Sequence, residues 1–91
     1  MSDRSAFIEK LEAAHAFPGP YLFKIIGENQ DGFIQTIEKA LKDFEIQETT
    51  HRLSKEQKHI SVSITVIAPS ADSVLDAYEA LGNLKQVKYV L

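Results

Sequence analysis

His59-Ile60-Ser61-Val62-Ser63-Ile64-Thr65-Val66-Ile67 is the cleanest alternation in the chain. Successive side chains of a strand point to opposite faces, so Ile60, Val62, Ile64 and Val66 share one side. His59, Ser61, Ser63 and Thr65 share the other. The spacing predicts a strand over 58–67 with one face in a core and one face left polar. Pro69 stops it, since a proline can neither donate to a ladder nor continue one.

Working outward, Ser54-Lys55-Glu56-Gln57 reads as a turn, and residues 45–53 as the strand before it. Only Ile46 and Leu53 are apolar there, which suits an edge strand kept soluble by charge. Further upstream, Phe33, Ile34, Ile37, Leu41 and Phe44 recur at helical spacing and form a wide apolar stripe. Asn29 or Asp31 is expected to cap that helix. Tyr21 to Ile26 lie in a strand over 20–27 with two fairly apolar faces, a central strand. Pro18-Gly19-Pro20 precedes it as a stiff break, and residues 3–15 form a leading helix with Ser2, Asp3 or Ser5 as its cap. Downstream, Ser70 caps a last helix whose buried stripe is Val74, Leu75, Tyr78 and Leu81. Gly82 is expected just past its end, and a final strand over 84–91 places Val87, Tyr89 and Leu91 on its inner side.

After the leading helix the order is strand, helix, strand, strand, helix, strand. This is the pattern of the α+β, ferredoxin-like βαββαβ sandwich. Right-handed crossovers put the third strand beside the first and give an antiparallel sheet of order 4-1-3-2. Residues 1–91 are expected to be one such domain, with residues 1–16 an appended helix. Both sandwich helices should cover the face carrying Phe23, Ile25, Val62 and Ile64.

Bulk properties narrow the function. Hydrophobic content of 44% and charged content of 25% are ordinary for a globular domain. A net charge of −3 argues against nucleic acid as the main partner, because that affinity rests on neutralised phosphates. With no cysteine there is no disulfide, thiolate metal site or cysteine nucleophile. No apolar run behind Met1-Ser2-Asp3-Arg4-Ser5 suggests a signal peptide, and none approaches the ~20 residues of a membrane span. The expected setting is cytoplasmic, away from membranes, with no cofactor.

The commoner uses of this fold also find little support. RNA-binding versions stack bases on aromatics of the central strands, but Leu22, Lys24, Ile26, Ser61, Ser63 and Thr65 hold those positions. The loop from Glu28 to Gly32 carries two acids and no base, which would repel a phosphate. His51 and His59 could face each other across a hairpin, yet no third ligand completes a metal site, so none is expected. No Ser/His/Asp set has recognisable spacing. The chain is expected to be non-catalytic, an enzyme with an unrecognised site being the remote alternative.

Two places keep a functional reading. Asn29, Asp31 and Gly32 stand between the first strand and the next helix, where free N–H groups favour an anionic or polar ligand such as an amino acid. Plain capping is the simpler role for the same residues. On the open face, Leu22, Ile67 and Val90 are expected to gather at the end where the Pro18-Gly19-Pro20 break delivers the leading helix. Phe7, Ile8 and Leu11 are expected to pack over that cluster, in the same chain or in a partner. The partner would be a second copy, forming a homodimer, or another protein.

Several segments then resemble a known family. Phe17-Pro18-Gly19-Pro20-Tyr21 running into Phe23-Lys24-Ile25-Ile26-Gly27, then Ser61-Val62-Ser63-Ile64-Thr65, then Tyr78-Glu79-Ala80-Leu81-Gly82 and the closing Val90-Leu91 are together similar to the YbeD-like family. This is a bacterial family of small domains of unknown function. The resemblance covers residues from about 15 to 91. It implies a βαββαβ fold similar to ACT-type regulatory domains, a regulatory role and no known catalysis. Asp31-Gly32-Phe33 also looks like the loop where amino-acid-binding ACT domains hold their ligand at a dimer interface, with Asp31 where a proline is usual.

Overall fold

The computed structural model describes residues 3–91. Its elements are α1 (Asp3–Ala14), β1 (Gly19–Glu28), α2 (Phe33–Ala40), β2 (Glu45–Leu53), β3 (His59–Ala68), α3 (Ala71–Gly82) and β4 (Val87–Val90). The four strands form one antiparallel sheet in the order β2-β3-β1-β4, the expected ladder read from its other edge. Ser2, one of the three expected caps of α1, lies outside the described residues, and Ser5 lies inside the helix rather than at its cap.

β3 behaves as its alternation requires. Ile60, Val62, Ile64 and Val66 are buried, while Ser61, Ser63, Thr65 and Ile67 are half-buried on the other side. β1 pairs with it in continuous register, so Phe23 and Ile25 lie opposite Ile64 and Val62 on the same inner face. Phe33 and Ile37 of α2, Leu41 just beyond it, and Val74, Ala77 and Leu81 of α3 close the core from above. At roughly 1.5–3 kcal/mol for each large side chain removed from water, this layer is the main source of stability.

Local ends differ from expectation where the chain must turn. α2 stops at Ala40 although its apolar stripe continues. The Leu41 amide donates to both the Ile37 and Glu38 carbonyls, and Lys42 donates to Lys39, so the last turn tightens to bring Glu45 straight into β2. Leu41 stays in the core regardless, and Phe44 sets its edge on Phe23 at 6.4 Å. α3 starts on a reciprocal Ser70–Ser73 capping box and includes Gly82, so Asn83 and not Gly82 closes it.

Two corrections concern the sheet's edges. β4 is short, and its pairing with β1 slips between Ile26 and Gly27: Ile25 faces Val90, Ile26 faces Tyr89 and Gly27 faces Val87. Val87 and Val90 therefore both turn inward, and Tyr89 turns outward. The expected open-face position of Val90 and inner position of Tyr89 are reversed. Gly27 permits the irregularity. A Cβ there would fall against the Gln86 carbonyl oxygen and within 2.7 Å of Phe33 Cζ. At the other edge, His51 lies opposite Val62 and His59 opposite Glu28, so the two imidazoles sit on opposite faces and not against each other.

Candidate functional site

The leading helix does not lie on the open face. α1 packs against α3, on the helical side of the sheet. Leu11 is buried in the common core, and Ile8 packs against it. Arg4 lies 2.8 Å from Asp76, 3.3 Å from Glu79 and 3.7 Å from Asp72, three carboxylates on one side of α3. The hydrogen bond to Asp76 and these charges raise the guanidinium pKa further. The expected packing of Phe7, Ile8 and Leu11 over Leu22, Ile67 and Val90 within one chain is thus corrected. The cause is the direction of Tyr21. Its ring is buried on the helical side, its hydroxyl is 2.8 Å from that of Tyr78, and the His15 ring lies 4.9 Å from it. The chain entering β1 is drawn to that side and carries α1 with it. Phe7, half exposed, lines a shallow cavity of about 310 Å³ with Asp3, Arg4, Leu75, Tyr78 and Glu79.

The loop of Asn29, Asp31 and Gly32 is differently employed from either expectation. Neither Asn29 nor Asp31 caps α2. Gly32 stands at the cap with φ +80°, a left-handed conformation that glycine adopts without strain. Its carbonyl accepts from both the amide and the hydroxyl of Thr36. The Asn29 side-chain amide donates to the Gln57 carbonyl at 2.8 Å and its backbone amide donates to Lys58 at 3.0 Å. Asn29 thereby ties this loop to the β2–β3 turn, where Gln57 itself holds a left-handed φ of 61°.

With α1 elsewhere, no other element among the described residues covers the open face, and its side chains form rows across the strands. Pro20, Ile67 and Glu45 make the first. Leu22, Thr65 and Glu48 make the second. Lys24, Ser63 and Thr50 make the third, extended on β4 by Leu91, whose backbone exchanges hydrogen bonds with Lys24. Tyr89, Ile26, Ser61 and Arg52 make the fourth, and Glu28 with His59 the fifth. The β1–β4 half is apolar: Leu22 is 55% exposed, Tyr89 58% and Leu91 63%. The β3–β2 half is polar and holds a cavity of about 270 Å³ lined by Lys24, Thr50, His51, Arg52, Ser61 and Ser63. Sequence alternation identified Leu22, Ile67 and the Ser/Thr rows. It missed Tyr89 and Leu91, for which Gly27, a glycine inside a strand and a common mark of a bulge, was the available signal.

Among the described residues, no group of three or more His, Cys, Asp or Glu side chains could hold a metal ion. Nor is any helix long and apolar enough to cross a membrane.

A four-stranded antiparallel sheet with two helices on one face is the architecture of ACT domains. The ACT domain from the GTP pyrophosphokinase of Chlorobium tepidum matches with a TM-score of 0.68 at 15% identity, covering 80% of this chain and 95% of that one. A protein from H. pylori, solved in solution, matches with a TM-score of 0.69 at 17% identity, covering 85% of each chain. The chain belongs to the DUF493 family, described as a protein of unknown function, whose model matches residues 12–91. It is 31% identical over 84 residues to a UPF0250 protein of Yersinia enterocolitica, covering 90% of this chain and 97% of that one. A UPF0250 protein of Yersinia pestis is 32% identical over the same length. The YbeD-like resemblance is that of this family, and most of α1 lies outside the matched residues.

Proposed function

We propose that this chain is a non-catalytic regulatory module of ACT-like type that works by self-association through the free edge of β2. The observation that carries the reading is the self-complementarity of that edge. Among the described residues, β2 is the outermost strand and pairs only with β3. Its outer row of N–H and C=O groups is therefore available to another strand. A two-fold axis through Thr50 sets Glu48 of each copy opposite Arg52 of the other. Both side chains lie on the open face, being opposite Thr65 and Ser61. The same axis sets Thr49 opposite His51. Opposite charges directly across an antiparallel pair contribute roughly 0.2–1 kcal/mol each, and the two-fold uses the Glu48–Arg52 pair twice.

The non-catalytic part rests on the character of the cavities. They are shallow, and the raised pKa values of Arg4 and Tyr78, which line one of them, have structural causes. Arg4 is held by three carboxylates and the Tyr78 hydroxyl by Tyr21, which suits structure and not turnover.

Sedimentation equilibrium tests the pairing. Dimer is expected for the natural chain, monomer for Glu48→Arg and for Arg52→Glu, and recovered dimer for the double charge swap. A monomer at every concentration, or a dimer indifferent to all three changes, refutes it.

A further inference from the structure

We infer that the polar half of the open face is a binding site for a small phosphate monoester, held between Lys24 and Arg52. The argument starts with charge. In a chain of net charge −3, these two cations both line one cavity, and neither lies within 4.0 Å of a carboxylate among the described residues. Lys24 belongs to the third row and Arg52 to the fourth, on strands two apart, so their Cα atoms are separated by about 12 Å from strand spacing and rise. Both long side chains reach the space between.

The floor of that space is made of hydroxyls. Ser63 stands between Lys24 and Thr50, and Ser61 between Ile26 and Arg52. Among the described residues, these three hydroxyls take part in no hydrogen bond within the chain. Three free O–H donors flanked by an ammonium and a guanidinium match a tetrahedral dianion, whose oxygens only accept. Two acids border this space on the open face: Glu48 in the second row, beside Thr65 and directed at the same Arg52 only across the proposed dimer edge, and Glu28 in the fifth row, beside His59.

An adjoining cavity of about 180 Å³ shares Arg52 and Ser61 and is lined further by Ile26, Leu53, Ser54, His59 and Ile60; Ile26 is its apolar residue on the open face, while Leu53 and Ile60 lie opposite each other on the inner side. The cations and hydroxyls take the phosphate, and this apolar extension takes the group esterified to it. That distinguishes an ester from free phosphate.

The test is an NMR titration of amide shifts at constant ionic strength, with phenyl phosphate and with inorganic phosphate as probes. It is run on the natural chain and on Glu48→Ala, which removes the carboxylate that competes for Arg52 in the dimer, so that failure of the pairing leaves the titration readable. Saturable shifts are expected at Lys24, Thr50, Arg52, Ser61 and Ser63. Lys24→Gln and Arg52→Gln are each expected to weaken both probes about tenfold, the usual worth of one charge-assisted hydrogen bond. Ile26→Ala should bring phenyl phosphate down to the level of inorganic phosphate. Within one copy, and among the described residues, neither Lys24 nor Arg52 makes an ion pair, so both variants should retain the natural circular dichroism spectrum. Absence of saturable shifts, or shifts unchanged in the two Gln variants, overturns the site. Equal affinity for the two probes overturns the ester.

Discussion

The two faces of one strand differ more than any two elements of this molecule. On β3, Val62, Ile64 and Val66 are fully buried under the helices, while Ser61, Ser63 and Thr65, interleaved with them, look onto an uncovered surface. The backbone is common to both sets, so only side-chain direction separates them. The inner set holds the fold together by removing apolar surface from water. The outer set contributes little to stability and is free to carry charge, hydroxyls and exposed apolar groups. Architecture and function are thus written on alternate residues of the same strands.

The comparison can be broken most directly by exchanging residues across it. Phe23→Ala on the inner face of β1 removes a fully buried ring that touches Tyr21, Phe44 and Tyr78, and should cost about 3–5 kcal/mol in urea denaturation. Ser63→Ala, one row away on the outer face, should stay within about 0.5 kcal/mol. Similar losses for both would mean that the open face is covered in solution.

A smaller effect is expected where inner and outer faces exchange roles, at the β1–β4 irregularity. Gly27→Ala forces a methyl group against the Gln86 carbonyl and the Phe33 ring, and should cost about 1–3 kcal/mol, the usual range for overpacking. It should also loosen β4, seen as faster amide exchange at Glu28 and Leu91. The Glu28 amide donates to Gln86 and that of Leu91 to Lys24. Unchanged exchange at both would show that the slip does not depend on glycine.

The smallest effect concerns the rim of the inner face. Burial first, and then the hydrogen bond with Tyr21, push the Tyr78 hydroxyl pKa well above the ordinary value near 10. Its contribution is fully present below pH ~10 and is lost as the pH rises further, because the unfolded chain then releases a proton that the folded chain keeps. Tyr78→Phe should therefore show a shallower alkaline loss of stability than the natural chain, while losing about 1 kcal/mol near neutrality with the hydroxyl pair. Parallel alkaline limbs in the two proteins would remove Tyr78 from the account.

Much of this was legible in the sequence because the relevant signals are local. β2 begins at Glu45 and ends at Leu53 as its composition indicated, and Ser70 caps α3 through a bond within its own first turn. The sheet order followed from chirality and short connections, which depend on the order of elements and not on particular contacts. The candidate site was only half legible. Leu22 and the Ser/Thr rows followed from period two, but a single slipped residue at Gly27 reverses Tyr89 and Val90, and period counting cannot see a slip. Asn29 was readable as a cap because its type suits one; its actual acceptor, the Gln57 carbonyl, lies 28 residues away.

By itself, then, the sequence determined the elements, their order and the inner face of the sheet, since apolar periodicity is a property of neighbours along the chain. Only the tertiary structure decided where α1 rests. Phe7, Ile8 and Leu11 could have been buried on either side of the sheet. The inward ring of Tyr21, its hydroxyl pair with Tyr78 and the three carboxylates facing Arg4 select α3. These partners are some sixty to seventy-five residues apart, and such distant choices depend on the geometry that the rest of the fold provides. That choice leaves the other face of the sheet open, with Lys24 and Arg52 turned toward solvent across a floor of hydroxyls.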